Sequence, residues 1–448
     1  MQSGFTRRIA GWAAAFSALA PTCVPGLAYG AATTSIDTSA NVASVRALLH
    51  DDATLSTWIR MRSAEVGASS ARVEQAEAEV GTSRLLPNPV VDFGLSDLVV
   101  GPTNPRGLGY GETAIYSVGL TGTIELGKRG PRVEAAELRA ASSRKWVAST
   151  LGERIALARF SLGRVVYQKA KHDALADEIQ SVLAVSELER VRLEQGEISG
   201  NDFDRLLLDK MSLDVEMART EADLAAALAS CREVLRIRCE PSTAGAEDLD
   251  SAAPIPMPAV RGTTPIESRA DIAALELERE AADKEAVLAS RRAIPDPVIR
   301  VGFTHDNLVI SGDQENTVSV GVLFPLPVFD RGQHDARRAR GRATELRYTR
   351  QAALAAAEAD VQELRSRTEF LAKGLRALSE AALPKSETIL GTTAKAFDRG
   401  QVSMTDLLIV RRTHVTLLLT ILSLKFDFFT ARNDLRRVLG TDVEIPGR

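Results

Sequence analysis

Tyr116-Ser117-Val118-Gly119-Leu120-Thr121-Gly122-Thr123-Ile124-Glu125-Leu126 decides the fold of this chain. Tyr116, Val118, Leu120, Ile124 and Leu126 alternate with Ser117, Gly119, Thr121, Thr123 and Glu125. A period of two sends the apolar set to one face of a β-strand and the small or polar set to the other. Three further segments carry the pattern. Val91, Phe93 and Leu95 alternate with Asp92, Gly94 and Ser96; Ile299, Val301 and Phe303 with Arg300, Gly302 and Thr304; Val318, Val320, Val322 and Phe324 with Thr317, Ser319 and Gly321. The sequence predicts strands at about 88–98, 115–127, 297–309 and 316–328. Such alternation fits a half-buried soluble hairpin. At about ten residues per strand it also fits a membrane barrel, apolar toward lipid and polar toward a lumen.

The strands belong to a unit that occurs twice. Pro87-Asn88-Pro89 recurs as Pro295-Asp296-Pro297, and Arg129-Gly130 as Arg331-Gly332. Gly196, Ser199, Asp202, Val234 and Leu235 recur 204 residues on as Gly400, Ser403, Asp406, Val438 and Leu439. A repeat this long means two copies of one supersecondary unit. Each half reads helix, strand, strand, long helix, tight turn, returning helix. The strands are joined by turn-rich loops, Gly101 to Thr113 in the first half and a shorter one near Ser311-Gly312-Asp313 in the second.

Apolar or small residues step by three and four through Leu151, Ile155, Ala158, Leu162 and Val165, and again through Ala357, Val361, Leu364, Leu371, Leu375 and Leu378. That spacing indicates coiled-coil-like packing. Pro131 reads as a first helical residue, and Pro384 as a kink in the second rod. If helical throughout, 131–195 and 333–398 are rods of roughly 95–100 Å at about 1.5 Å per residue. The turns Gly196-Glu197-Ile198-Ser199-Gly200-Asn201-Asp202 and Gly400-Gln401-Val402-Ser403-Met404-Thr405-Asp406 end a helix with glycine. They start the next with a serine three residues before an aspartate, the spacing of a capping box.

Segment boundaries are legible too. Arg7 and Arg8 before the apolar run Ile9 to Leu19, with Ala28-Tyr29-Gly30 after it, read as a secretory leader over 1–30. Cys23 lies inside it and lacks the residues that precede a lipidated cysteine. The first repeat is 31–239 with its helical hairpin at 131–237, the second 266–448 with its hairpin at 333–439, and 240–265 is a linker or irregular collar. No later stretch reaches the roughly eighteen uninterrupted apolar residues of a membrane helix. A net charge of −4 argues against nucleic acid as a partner. Cys231 and Cys239 either pair in an oxidising compartment, stapling a helix end to the next segment, or stay as two buried thiols. The five histidines, His50, His172, His305, His334 and His414, form no cluster at metal-ligand spacing, and no cofactor is implied. Trp58, Trp146 and Tyr348 read as packing residues. No nucleophile elbow, phosphate loop or paired-carboxylate site marks an enzyme.

Four strands cannot close a barrel, and an open sheet edge in lipid leaves backbone groups unpaired at several kcal/mol each. A membrane reading therefore requires several chains to pool their strands. Here the residues resemble a known family. Thr123-Ile124-Glu125-Leu126-Gly127-Lys128-Arg129-Gly130, Pro325-Leu326-Pro327-Val328-Phe329-Asp330-Arg331-Gly332-Gln333, the Pro-Asn-Pro segment and the two Gly-x-x-Ser-x-x-Asp turns resemble those of TolC-like outer-membrane efflux proteins. The Glu-Leu-Gly-Lys-Arg segment is most similar to the outer-membrane component of cobalt–zinc–cadmium-type cation efflux systems, although one glycine of that pattern is missing. The resemblance implies a mainly α protein with a small β part, two repeats of β-hairpin plus long helical hairpin. It implies a homotrimer in the outer membrane of a Gram-negative bacterium, with a twelve-stranded barrel in lipid and a periplasmic α-helical barrel. Its partners would be a periplasmic adaptor and an inner-membrane pump.

By the same resemblance, Gly196, Ile198, Ser199, Gly400, Val402 and Ser403 form adaptor-docking tips or simply build a helix-turn-helix corner. Asp406 falls where a carboxylate lines the tunnel's closed end, and three copies near an axis would repel each other and attract cations; helix capping also explains it. Asp202 is its counterpart, bonded in some members to a tyrosine. Phe397 stands at that tyrosine's position and has no hydroxyl, so closure here would rest on packing. Two other functions remain open: a TolC-like duct for drugs or other organic molecules, and a soluble periplasmic coiled-coil adaptor.

Overall fold

The computed structural model describes residues 42–99, 107–240, 245–251, 266–309 and 314–441. The leader at 1–30, most of the 240–265 linker, residues 101–106 of the first loop and Ser311-Gly312-Asp313 lie outside the described residues. Strand β1 (Val42–Ser44) leads into α1 (Val45–His50), α2 (Asp52–Arg62) and α3 (Ala64–Arg84). The first hairpin is β2 (Val90–Ser96) and β3 (Ile115–Thr123), with the single turn α4 (Tyr110–Thr113) between them. The rod α5 (Arg129–Glu194) and returning helix α6 (Gly200–Leu235) come next, then β4 (Arg238–Glu240) and α7 (Glu247–Ser251). The second unit repeats the order: α8 (Ala270–Ser290), β5 (Val298–Asp306), β6 (Asn316–Leu323), a rod of α9 (Gln333–Arg376) and α10 (Leu383–Asp398), and returning helix α11 (Met404–Leu439).

The four long-patterned strands form one antiparallel sheet in the order β2-β3-β5-β6. Register aligns the period-two pattern across all four. Phe93, Val118, Phe303 and Val318 form one row, and Val91, Leu120, Val301 and Val320 the next. The opposite face aligns Asp92, Gly119, Gly302 and Ser319. Small residues leave room there: a Cβ on Gly119 would stand 2.6 Å from the Asp92 carboxylate and one on Gly302 2.8 Å from the Ser319 hydroxyl, so those side chains would have to move. Arg300 crosses that face to Asp92 at 2.6 Å. The apolar rows are uncovered, with Phe93 68% and Val318 73% exposed. Strands β3 and β6 stop at Thr123 and Leu323, short of the expected 127 and 328. In β6 the cause is Pro325 and Pro327, which have no N–H to give a ladder; in β3 it is Gly127 at φ +69° turning the chain toward α5.

Beneath the sheet, α5 packs on α3, α6, α8 and α11, and α8 also packs on α9. Helix α5 starts at Arg129, so Pro131 is its third residue rather than its first. In the second rod, Ala377–Ala382 form a π-helical turn just before Pro384. Proline lacks the N–H that an α-turn there needs, and the wider turn absorbs it. Helix α11 is, by length and composition, apolar enough to cross a membrane, which the uninterrupted-run criterion did not anticipate. It packs instead along α5, α9 and α10, and its Lys425 pairs with Asp250 at 2.6 Å. Only 17% of its most apolar stretch is buried within one chain.

The main core lies midway along the rods. Leu48, Leu49, Leu55 and Ile59 meet Ile155, Leu162 and Val166 of α5, Leu235 of α6 and Phe429 of α11. Phe429 sits so close to α5 that a Cβ on Gly163 would be 2.2 Å from its ring. Trp58 belongs to this core and donates to the Leu235 carbonyl at 3.0 Å. Trp146 donates to Glu278 at 2.7 Å, whereas Tyr348 is 60% exposed and is no packing residue within one chain. A disulfide joins Cys231 to Cys239, linking α6 to β4, which pairs in parallel with β1. In the collar, Asp248 accepts from Arg46 at 3.0 Å and lies 2.9 Å from His50.

A buried polar network crosses the core. Arg159, with no exposed surface, donates to Asn433 at 2.9 Å and to Asp52 at 2.8 Å. Arg436 reaches the other Asp52 oxygen at 2.7 Å, and the Asn433 amide donates to the Ala156 carbonyl at 2.9 Å. Four polar side chains thus tie α2 to both repeats.

Candidate functional site

The end of the rods far from the sheet holds the two matched turns. In the first, Gly196 takes φ +76°, and the Glu197 N–H donates to the Arg192 carbonyl at 2.9 Å. In the second, Gly400 takes φ +68°, and the Gln401 N–H donates to the Ala396 carbonyl at 2.9 Å. These left-handed glycines return the chain and satisfy the last helical carbonyls. Ser199 and Ser403 then cap the next helices, accepting from the Asp202 and Asp406 N–H groups at 3.2 and 3.1 Å. Asp406 completes a capping box, accepting from the Ser403 N–H at 3.2 Å and from its hydroxyl at 2.6 Å. Asp202 accepts from the Ser199 hydroxyl at 2.8 Å and lies 3.6 Å from Arg205. Ile198 and Val402 are half-buried, while Gly196, Ser199, Gly400 and Ser403 are exposed.

Phe397 is buried with Val182, Leu206, Met404 and Leu407, and the Arg192 guanidinium stands 5.8 Å from its ring centre. The two turns are therefore coupled through an apolar cluster to which both hairpins contribute, with a cation–π contact at its edge.

Two links between the hairpins were not foreseen. Arg205 donates to the Thr405 hydroxyl at 2.9 Å, joining the second turn of α6 to the first turn of α11. Deeper in, Arg411 of α11 donates to the Ser181 hydroxyl of α5 and lies 3.7 Å from Glu178. Burial pushes the Glu178 carboxyl up; Arg411 opposes the shift and Asp209 of α6 adds to it. The signal was available: Met404, Leu407 and Arg411 occupy one buried stripe of α11, and an arginine on such a stripe needs a partner. Among the described residues, no three His, Cys, Asp or Glu side chains converge on a point able to hold a metal ion.

Comparison with known proteins agrees with this architecture. The outer membrane efflux protein family matches residues 265–441. Over 389 residues the chain is 22% identical to the cobalt-zinc-cadmium resistance protein CzcC of Cupriavidus metallidurans, covering 84% of this chain and 86% of that protein. The fold is similar to that of CusC, with a TM-score of 0.75 at 16% identity over 89% of this chain and 94% of that one. It is also similar to the CmeC outer membrane channel of Campylobacter jejuni, with a TM-score of 0.70 at 14% identity over 89% and 87%. With its second repeat matched to that family model and its fold shared along most of its length with solved outer membrane channels, the chain is similar to the outer membrane efflux proteins.

Proposed function

We propose that this protein is the exit duct of a tripartite efflux system that removes heavy-metal cations, passing them from the periplasm to the exterior. One observation carries the duct: an apolar face runs unbroken over four strands whose sheet ends in two unpaired edges, β2 and β6. Three copies pooling their strands make a twelve-stranded barrel and remove every edge. The open apolar side of α11 is covered by the same assembly. The likeness to CzcC supports the metal cargo. The repeats 31–239 and 266–448 act as quasi-equivalent segments of the ring, joined by 240–265, and 1–30 directs export. The energy comes from an inner-membrane pump, reached through an adaptor that docks on Gly196, Ile198, Ser199, Gly400, Val402 and Ser403.

Deleting the gene is expected to lower tolerance to cobalt, zinc and cadmium in growth assays. Intact metal tolerance with lost drug tolerance would replace the cation reading by a duct for organic molecules.

The gate lies where the hairpins meet at the tips. Asp202 and Asp406 hold the turns, Phe397 packs them together, and the Arg411–Glu178–Ser181 contact ties α11 to α5. Opening must separate α11 and α10 from α5 and α6, which breaks these contacts. Arg411→Leu is therefore expected to raise single-channel conductance in planar bilayers several-fold over the wild type at neutral pH. Because the Glu178 carboxyl is raised, mild acid protonates it before ordinary carboxylates and weakens the same pair. The wild type should drift toward the variant as pH falls, and a conductance blind to both changes removes the latch.

A further inference from the structure

The junction between sheet and rods holds two features that the duct does not use. Phe329 is 92% exposed, the highest value of any large apolar side chain among the described residues, with Leu326 at 76% and Val328 at 61%. Immediately after them Arg331, Arg337 and Arg340 are exposed, and among the described residues their guanidinium groups have no acidic partner. The acids of the same segment are engaged elsewhere. Asp335 holds Arg292 and Arg338, Glu345 holds Arg342 at 2.7 Å, and Asp330 accepts from the Gly332 N–H at 2.8 Å.

The first repeat shows the contrast. Arg129, the counterpart of Arg331, donates to the Arg84 carbonyl at 2.8 and 3.1 Å. Arg132 is spent on Glu125 and on the Ser83 and Leu85 carbonyls, and Lys128 on Asp296 at 2.6 Å. The same motif thus ties sheet to rod in one repeat and leaves its cations uncommitted in the other.

We propose that Phe324 to Arg331 and the first two turns of α9 form an interfacial collar that binds anionic phospholipid headgroups on the rod side of the barrel. The proposal rests on the outer-membrane barrel. The eight residues of β6 reach roughly 20 Å across the bilayer at a tilt near 40°, short of an apolar band about 25 Å tall. Phe324, Leu326 and Val328 continue the outward alternation of Val318, Val320 and Val322 and supply the remainder. That sets Phe329 at the edge of the acyl region. The span from Arg331 to Arg340 then falls in and just below the headgroup layer, about 5–8 Å thick on each side. At the strand end, beside Arg331, a neighbouring copy offers no opposite charge. The segment leading into its β2, Arg84-Leu85-Leu86-Pro87-Asn88-Pro89, carries one charge, of the same sign. Phosphate-bearing lipid matches the arginines in sign and in forked hydrogen-bond geometry.

The test uses the full chain reconstituted in vesicles of brominated phosphatidylcholine, with or without brominated phosphatidylglycerol, and reads emission in excess of the wild-type tryptophans. Phe329→Trp is expected to be quenched by lipid, with phosphatidylglycerol preferred at least threefold. Adding Arg331→Gln, Arg337→Gln and Arg340→Gln should keep the quenching and bring the preference near one. Val320→Trp, on the strand face, should be quenched without headgroup preference. If Val320→Trp is quenched and Phe329→Trp is not, a second copy or the lumen covers the segment and the collar is overturned. Equal quenching of Phe329→Trp by both lipids overturns it as well, and an unquenched Val320→Trp overturns the barrel itself. Native mass spectrometry of the unsubstituted protein tests the collar without a variant: excess retained phosphatidylglycerol supports it, and equal retention of both lipids refutes it.

Discussion

Asp52→Ala is expected to destabilise the packing of residues 42–62 on the rods by about 3 kcal/mol. Removing one partner of a buried pair strands the other, at about 3–5 kcal/mol. The lower end applies because Arg159 is fully enclosed while the Asp52 side chain is 44% exposed. Trypsin at Arg46, Arg60 and Arg62 reads the effect, since about 3 kcal/mol multiplies the locally opened population roughly a hundredfold. Removing the surface pair Glu369–Lys373, both 67% exposed, should change the cutting rate little. The pH dependence has a definite sign. Burial would raise the Asp52 carboxyl, but the charges of Arg159 and Arg436 and their hydrogen bonds outweigh it, so it is held below the usual carboxylate range. A lowered acid stabilises the fold above its unfolded value, about 3.9, and that stabilisation is lost as pH falls through the lower folded value. The gap between wild type and variant should therefore stay flat from neutral to mildly acidic pH and narrow only below about pH 4. A gap that closes at pH 6 would assign the effect to another group.

Gly332→Ala is expected to abolish most of the correctly assembled channel, while Gly130→Ala is tolerated. The two glycines occupy matched sequence positions but unlike backbones. Gly130 lies within α5, where alanine meets nothing within 4 Å and is the better helix former by about 1 kcal/mol. Gly332 caps α9 at φ +74°, and a Cβ there would stand 2.0 Å from the Ala289 carbonyl oxygen. Left-handed backbone costs a non-glycine residue about 1–2 kcal/mol, and forcing α8 and α9 apart adds about 1–3 kcal/mol. Thermal melts of the detergent-solubilised protein and the yield of heat-modifiable oligomer measure both variants. Equal behaviour of the pair would refute the assignment.

What was readable in the sequence was local. Alternation in the strands, glycine and serine–aspartate chemistry at the turns, and three–four spacing in the rods each act over a few residues, and the elements appear where those signals lie. The strand ends were not legible, because the alternation of Phe324, Leu326 and Val328 continues past prolines that end the ladder. Nor was the difference between Gly130 and Gly332, since the repeat conserves letters where the backbone diverges. Contacts set by tertiary distance escaped altogether: β1 against β4, Asp52 against Arg436, Arg411 against Ser181. At the rod ends the two turns were legible from their motifs, and Phe397 lies in an apolar cluster; docking and gating at these residues remain proposals. The cross-hairpin arginines were missed because a lone arginine in a helix usually reads as solvated.

The two free sheet borders come from different repeats, β2 from the first and β6 from the second. Neighbours in a membrane must share one vertical sense, so like borders cannot meet without inverting a subunit. In the proposed ring, growth is therefore head-to-tail, and a subunit disabled on a single side still captures a neighbour with its sound side. Such a copy would act as a chain terminator, poisoning rings built mostly from intact protein. Damage at either border should accordingly be dominant when both alleles are expressed, whereas a null allele should be recessive.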